Sequence, residues 1–161
     1  MTASDPETWV RVDRAGFHVP PGGFHVDPVR PVPYAVITHG HGDHARPDHG
    51  HVLATPETLA VMRHRYGDRA GQVLQPLHPG EPITVGSVRV TLRPAGHVLG
   101  SAQVVLEHAG SRIVVAGDYK RHRDPTCAPF EPVSCDAFVT EATFGLPVFR
   151  HPEPEAEIAK L

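Results

Sequence analysis

The sequence predicts a layered α/β sandwich, and three observations predict it. Short apolar segments, most of them four to six residues long and rich in Val, recur along the chain with turn signals between them, which favours strands over helices. One helix is strongly signed between two of these segments. Two later segments flank a short Gly-containing link and read as a hairpin. Sheet with occasional helix is the pattern of a layered fold.

In chain order, the expected strands are Ala35 to Thr38, His51 to Ala54, Val88 to Leu92, Gln103 to Glu107, Arg112 to Ala116 and Ala137 to Thr140. The helix follows the second of them. Thr55 can cap its first turn, Pro56 suits the first helical position, and Glu57 complements the dipole. Leu59, Met62 and Tyr66 then supply an apolar stripe that Gly67 is placed to end. Between Gln103 to Glu107 and Arg112 to Ala116, the link His108-Ala109-Gly110-Ser111 predicts a tight hairpin. From Pro152 onward, Glu153, Glu155 and Glu157 lead into Ile158, Ala159 and Leu161, the acidic opening of a further helix.

Length and composition bound the function. With 161 residues, 40% hydrophobic and 20% charged, the chain is sized for one domain with a real core. Its formal net charge of -3 does not advertise a nucleic-acid partner, so any such surface is local. No segment approaches about 18 consecutive apolar residues, and the first residues lack an apolar run with a basic flank. A cytoplasmic protein with no membrane partner is therefore expected. The two cysteines, Cys127 and Cys135, form neither a disulfide framework nor a zinc ribbon and read as ordinary thiols.

The densest chemistry lies in Thr38-His39-Gly40-His41-Gly42-Asp43-His44, directly after the apolar Tyr34-Ala35-Val36-Ile37. His39 and His41 stand two apart, so in an extended segment both imidazoles leave on one side and can share an ion. Asp43 and His44 then face a second ion. Gly40 and Gly42 lack Cβ and let the loop gather four ligands around a small volume. Two further loops add donors: Pro94-Ala95-Gly96-His97 offers a third nitrogen to the first ion, and Ala116-Gly117-Asp118 ends an apolar strand in an acid. A carboxylate there is costly unless ligated or paired, and its two oxygens let Asp118 bridge both ions. Asp27, in Phe24-His25-Val26-Asp27-Pro28, is the remaining acid on an apolar stretch. Its expected work is to accept a hydrogen bond that orients the histidine loop.

The order Asp27, His39-x-His41-x-Asp43-His44, His97, Asp118 resembles the metallo-β-lactamase superfamily. That resemblance implies an αββα sandwich with a dinuclear site along one edge, these residues forming the N-terminal portion of the domain. Ala95-Gly96-His97-Val98-Leu99-Gly100-Ser101 and Thr140-Glu141-Ala142-Thr143-Phe144-Gly145 resemble the β-CASP nucleases within it. Further stretches, among them His44-Ala45-Arg46-Pro47, Gly117-Asp118-Tyr119-Lys120-Arg121 and Asp124-Pro125-Thr126-Cys127-Ala128-Pro129-Phe130-Glu131-Pro132, are most similar to the bacterial ligase-associated DNA exonucleases. Those are also described as exonucleases of the messenger RNA 3′-end processing factor type. The likeness runs from about Phe17 to Phe149. Family members continue through a capping domain and two further histidines, so residues 1–161 are expected to be the N-terminal part of a longer domain with those elements absent.

The resemblance implies two divalent ions, zinc first and manganese as an alternative, held by His39, His41 and His97 on one side and Asp43, His44 and Asp118 on the other. It implies phosphodiester hydrolysis with DNA as the partner substrate, in repair beside an ATP-dependent DNA ligase. An RNA-processing nuclease of the same fold and a non-catalytic metal- or nucleic-acid-binding fragment are the alternatives. Asp43, Asp118 and Glu141 are the carboxylates on which turnover is expected to depend, and Glu141 corresponds to the acid that begins the nuclease motif set. Lys120, Arg121, Arg123 and Arg46 are candidates to neutralise phosphates. Tyr119 is a candidate to stack on a base or simply to pack.

Overall fold

The computed structural model describes residues 5–143, 145, 146, 148, 149, 152 and 158–160. Two sheets face one another. The first is built from β1 (Arg11–Asp13), β2 (Gly16–Val19), β3 (Phe24–Val26), β4 (Tyr34–Val36), β5 (His51–Ala54) and β6 (Val73–Pro76), in that spatial order. β1 to β3 pair antiparallel and β3 to β6 pair parallel. The second contains β7 (Pro82–Val85), β8 (Val88–Pro94), β9 (Ala102–His108), β10 (Ser111–Val115) and β11 (Ala137–Val139). Its order is β11-β10-β9-β8-β7, antiparallel except for the parallel β10–β11 pair.

Alternation along each strand decides which layer a side chain joins. Phe24, Val26, Val36 and Leu53 of the first sheet meet Val88, Val90, Leu92, Val104, Leu106 and Ile113 of the second in one buried cluster. Ala35, Ile37, Val52 and Ala54 point the other way and bury against Leu59 and Met62 of α1 (Pro56–Tyr66). α1 connects β5 to the parallel β6, so both faces of the first sheet are covered, as parallel strands require. Its ends match the sequence reading: Thr55 Oγ1 accepts from the Thr58 amide and Gly67 closes the helix with φ +58.

The strands expected from the sequence are all present, with ends shifted by at most two residues. Five were not expected: β1, β2, β3, β6 and β7. β1 is exposed along its whole length and so shows no burial pattern, while β7 starts and β6 ends on Pro, which argues locally against strand. The helix expected from Pro152 onward lies, apart from Pro152 and residues 158–160, outside the described residues.

The β9–β10 hairpin forms with Ser111 opposite His108, and its two turn residues, Ala109 and Gly110, both have positive φ, +48 and +82. That is a type I′ turn, in which the first central position favours Asn or Gly. Ala109 there carries the steric cost of a left-handed non-Gly residue, about 1 kcal/mol. Ala109→Asn is expected to raise the urea midpoint with an unchanged m-value, by up to about 1 kcal/mol of stability. An unchanged or lower midpoint would contradict this turn assignment.

Candidate metal centre

Four strand ends meet on one edge of the sandwich. Directly after β3, Asp27 turns back with φ +44, a left-handed conformation that Asp tolerates better than most residues, and its amide donates to the Val36 carbonyl at 3.0 Å. Its carboxylate then accepts three bonds. The Thr38 amide donates to Oδ1 at 2.8 Å, the Thr38 hydroxyl to Oδ2 at 2.6 Å, and His44 Nδ1 lies 2.8 Å from Oδ2.

These bonds set the histidine tautomers. Because the Thr38 hydroxyl proton is given to Asp27, its oxygen is left to accept from His39 Nδ1, 3.0 Å away. His39 therefore presents a bare Nε2 to the interior of the site. His44, donating through Nδ1 to Asp27, likewise turns a bare Nε2 the other way. Burial and the charge of neighbouring His44 hold the His39 imidazole down to about 3, so it is neutral at any ordinary pH. Burial also lowers His97, whereas the bond to Asp27 raises His44.

His39 Nε2 and His97 Nε2 lie 3.0 and 3.2 Å from His41 Nδ1. Asp118 Oδ2 stands 3.9 Å from His39 Nε2 and 3.6 Å from His97 Nε2. The three rings are close to mutually perpendicular, at 81, 90 and 83°, so their nitrogen edges converge instead of their faces stacking. Donor atoms of His39, His41, His97 and Asp118 all fall within 4.8 Å of one another. Convergent lone pairs and a carboxylate repel unless a cation lies among them, and three imidazoles with one carboxylate is a donor set suited to zinc. The residues fit a divalent ion.

The other oxygen of Asp118 faces a different group. Oδ1 is 3.4 Å from His44 Nε2, which is 3.7 Å from Asp43 Oδ2. Asp43 is 75% exposed, and the bond its carboxylate makes with its own backbone amide is the first cause of its lowered pKa. Asp118 thus spans two donor sets. Its placement depends on Gly117, whose φ is +58 and where a Cβ would come within 2.7 Å of Thr38, so only glycine lets β10 leave against the histidine loop. Beside this second set opens a cleft of about 310 Å³ lined by Phe17, Val26, Val29, His44 and Glu141. Glu141 accepts the Thr143 amide at 2.7 Å.

Two contributors lie outside the expected site residues. Arg65, in the last turn of α1, donates through Nη1 to the Gly40 carbonyl at 2.7 Å and so pins the histidine loop from below. In sequence it reads as an ordinary basic residue at a helix C-terminus. Ser101 Oγ accepts the amides of His97 and Val98, both at 3.1 Å, and shapes the His97 loop. Among the phosphate candidates, Lys120 is paired with Asp124 at 3.3 Å and Arg46 donates to the Asp43 carbonyl at 3.3 Å, while Arg121 and Arg123 are exposed. Tyr119 packs against Phe130 and Phe138, with ring centroids at 5.3 and 6.0 Å.

A family model described as a β-lactamase superfamily domain matches residues 5–149. The chain belongs to the metallo-β-lactamase superfamily. Within the superfamily it is similar to a probable DNA ligase from Opitutus terrae, 33% identical over 145 residues, which is 89% of this chain and 14% of that protein. It is also similar to the endoribonuclease ysh-1 of Neurospora crassa, 31% identical over 113 residues, 68% of this chain and 13% of that protein. The endoribonuclease ysh1 of Aspergillus fumigatus is 44% identical over 66 residues, 39% of this chain and 8% of that protein. The chain thus spans roughly one seventh or less of the length of these relatives. With this fold, these homologues and the His/Asp cluster, it is a metal-binding member of a superfamily that includes nucleases.

Replacing the Asp27 carboxylate removes the acceptor for Thr38 and His44 while leaving every proposed ligand side chain present. Asp27→Ala is expected to weaken zinc binding by about 10- to 100-fold, read by competition with a chromophoric chelator. Wild-type affinity in a folded variant would show that the histidine loop needs no such anchor.

Proposed function

We propose that residues 5–149 carry the dinuclear metal centre of a DNA exonuclease that trims ends in the cytoplasm beside an ATP-dependent DNA ligase. The observation that carries this reading is Asp118, one oxygen turned towards His39 and His97 and the other towards His44. His39, His41 and His97 would hold one ion, Asp43 and His44 the other, and Asp118 both. Zinc suits this donor set best, with manganese as the alternative. Divalent ions bound there would supply hydroxide at neutral pH and offset charge on phosphoryl oxygens.

The protein's own residues prepare that chemistry. Asp27 keeps the lone pairs of His39 and His44 directed inward, and Arg65 fixes the loop between them. The cleft at Glu141 leaves room for a phosphodiester next to Asp43 and Asp118. Glu141 would hold the later histidine that protonates the leaving oxygen, within the capping domain and further motifs that the resemblance places beyond these residues. Arg121 and Arg123, exposed just past Asp118, would meet incoming phosphates.

The DNA reading is supported by the match to the probable DNA ligase, which runs through 89% of this chain. RNA is the second reading, supported by the higher identity to an endoribonuclease over the 66 residues it matches. The test is end-labelled DNA and RNA of one sequence, given to the full polypeptide in which these residues occur. Stepwise shortening of DNA with RNA left intact is the expected result, abolished by Asp43→Ala with the circular dichroism unchanged. Cleavage of RNA alone would replace the DNA reading. Turnover retained in Asp43→Ala would sink the two-ion centre.

A further inference from the structure

A second gathering of metal-binding side chains lies on the first sheet, and none of its members belongs to the centre above. Register places them together: His18 of β2 stands directly across from His25 of β3, and Asp13 ends β1 two pairs further along, opposite Gly16. All three share the face opposite Phe24 and Val26, because side chains alternate along a strand. His25 Nε2 lies 3.0 and 3.1 Å from the two Asp13 oxygens, and His18 Nδ1 lies 3.2 Å from Oδ2. The two imidazoles stack with centroids 4.2 Å apart and 5° between their planes, which brings both nitrogens to the carboxylate side.

We propose that Asp13, His18 and His25 form a separate binding site for one divalent late transition ion, zinc or nickel, that ties the β1–β2 hairpin to β3. Their three donor atoms lie within 4.8 Å of one another. With bonds of about 2.0–2.1 Å, tetrahedral donors stand about 3.3–3.4 Å apart, so the carboxylate needs to move only a few tenths of an ångström from its observed 3.0 and 3.2 Å. The rings must tilt from parallel to aim their lone pairs at one point. His18 lies on β2 between β1 and β3, and its Nδ1 also accepts a long 3.3 Å contact from exposed Arg11 that an ion would replace. Burial and the neighbouring His25 lower His18, and the Ala15 amide and His25 lower Asp13. Two nitrogens and one oxygen favour zinc, nickel or copper over magnesium and calcium. The Asp13 side chain is 35% exposed, which gives the ion a path from solvent and leaves positions for water.

The test uses the chelator-stripped full chain titrated with paramagnetic Ni²⁺. Backbone amide signals of Val12, Asp13, Ala15 and Gly16 are expected to broaden at stoichiometric metal, in addition to those of the histidine loop. After dialysis against micromolar Zn²⁺, His18→Gln and Asp13→Asn are each expected to hold one equivalent fewer than the wild type. Sharp β1–β2 amides in the wild type while the histidine loop broadens would overturn the proposal, as would variants that hold as much zinc as the wild type. Because the amide readout is made on the wild type, a variant that fails to fold does not rescue the idea.

Discussion

The carboxylate of Asp27 is the constraint on which the site depends. It accepts from the Thr38 amide, the Thr38 hydroxyl and His44, and so joins the end of β3 to the loop that follows β4. Thr38 is buried, and without that acceptor its amide would be an orphan costing about 1–3 kcal/mol. The same bonds decide which nitrogen of His39 and of His44 is bare. A single acid therefore fixes both the path of the loop and the tautomer of two imidazoles, and it does so with its own backbone held at φ +44.

The two sheets meet at this edge for a related reason. β3 and β4 run parallel, and β8 and β10 run parallel to each other with β9 antiparallel between them, so each pair delivers its C-terminal ends together. Asp27 and the histidine loop leave the first sheet; His97 and Asp118 leave the second. Gly117 lets these exits touch, because any side chain there would collide with Thr38. The Ala102 amide donates to the Thr38 carbonyl at 2.8 Å and closes the seam from β9. Thr38 is thus bound from both sheets, and the donor atoms inherit the rigidity of the packed strands behind them.

What could be read from the sequence was local. The spacing in His39-Gly40-His41-Gly42-Asp43-His44, the cap at Thr55 and the link at Ala109-Gly110 each lie within a few residues, where geometry follows directly from chain connectivity. Beyond the residues that the family resemblance brings together, long-range contacts were not legible. Nothing near Arg65 says that its guanidinium reaches the Gly40 carbonyl, since that contact exists only after α1 packs on the sheet. His18 and His25 look like isolated histidines until the β2–β3 register sets them opposite one another. The short strands β1, β6 and β7 escaped because exposure and Pro hide the alternation that a buried strand would show.

The two donor sets at the edge are unequal, and the inequality has a chemical sense. His39, His41, His97 and Asp118 converge from two sheets, with His39 fully buried and its neutral form enforced by burial. His44 and Asp43 instead share only one oxygen of Asp118, and Asp43 projects into solvent at the mouth of the cleft. Ordering an exposed side chain around an ion costs entropy that a buried, hydrogen-bonded one has already lost on folding. In the proposed two-ion centre an ion in the first set would accordingly be the tighter of the two, and the second set, with fewer fixed donors, would keep positions that a substrate oxygen could complete. The open side of that set faces the cleft at Glu141, so in that proposal the weaker position would also be the one a substrate could reach.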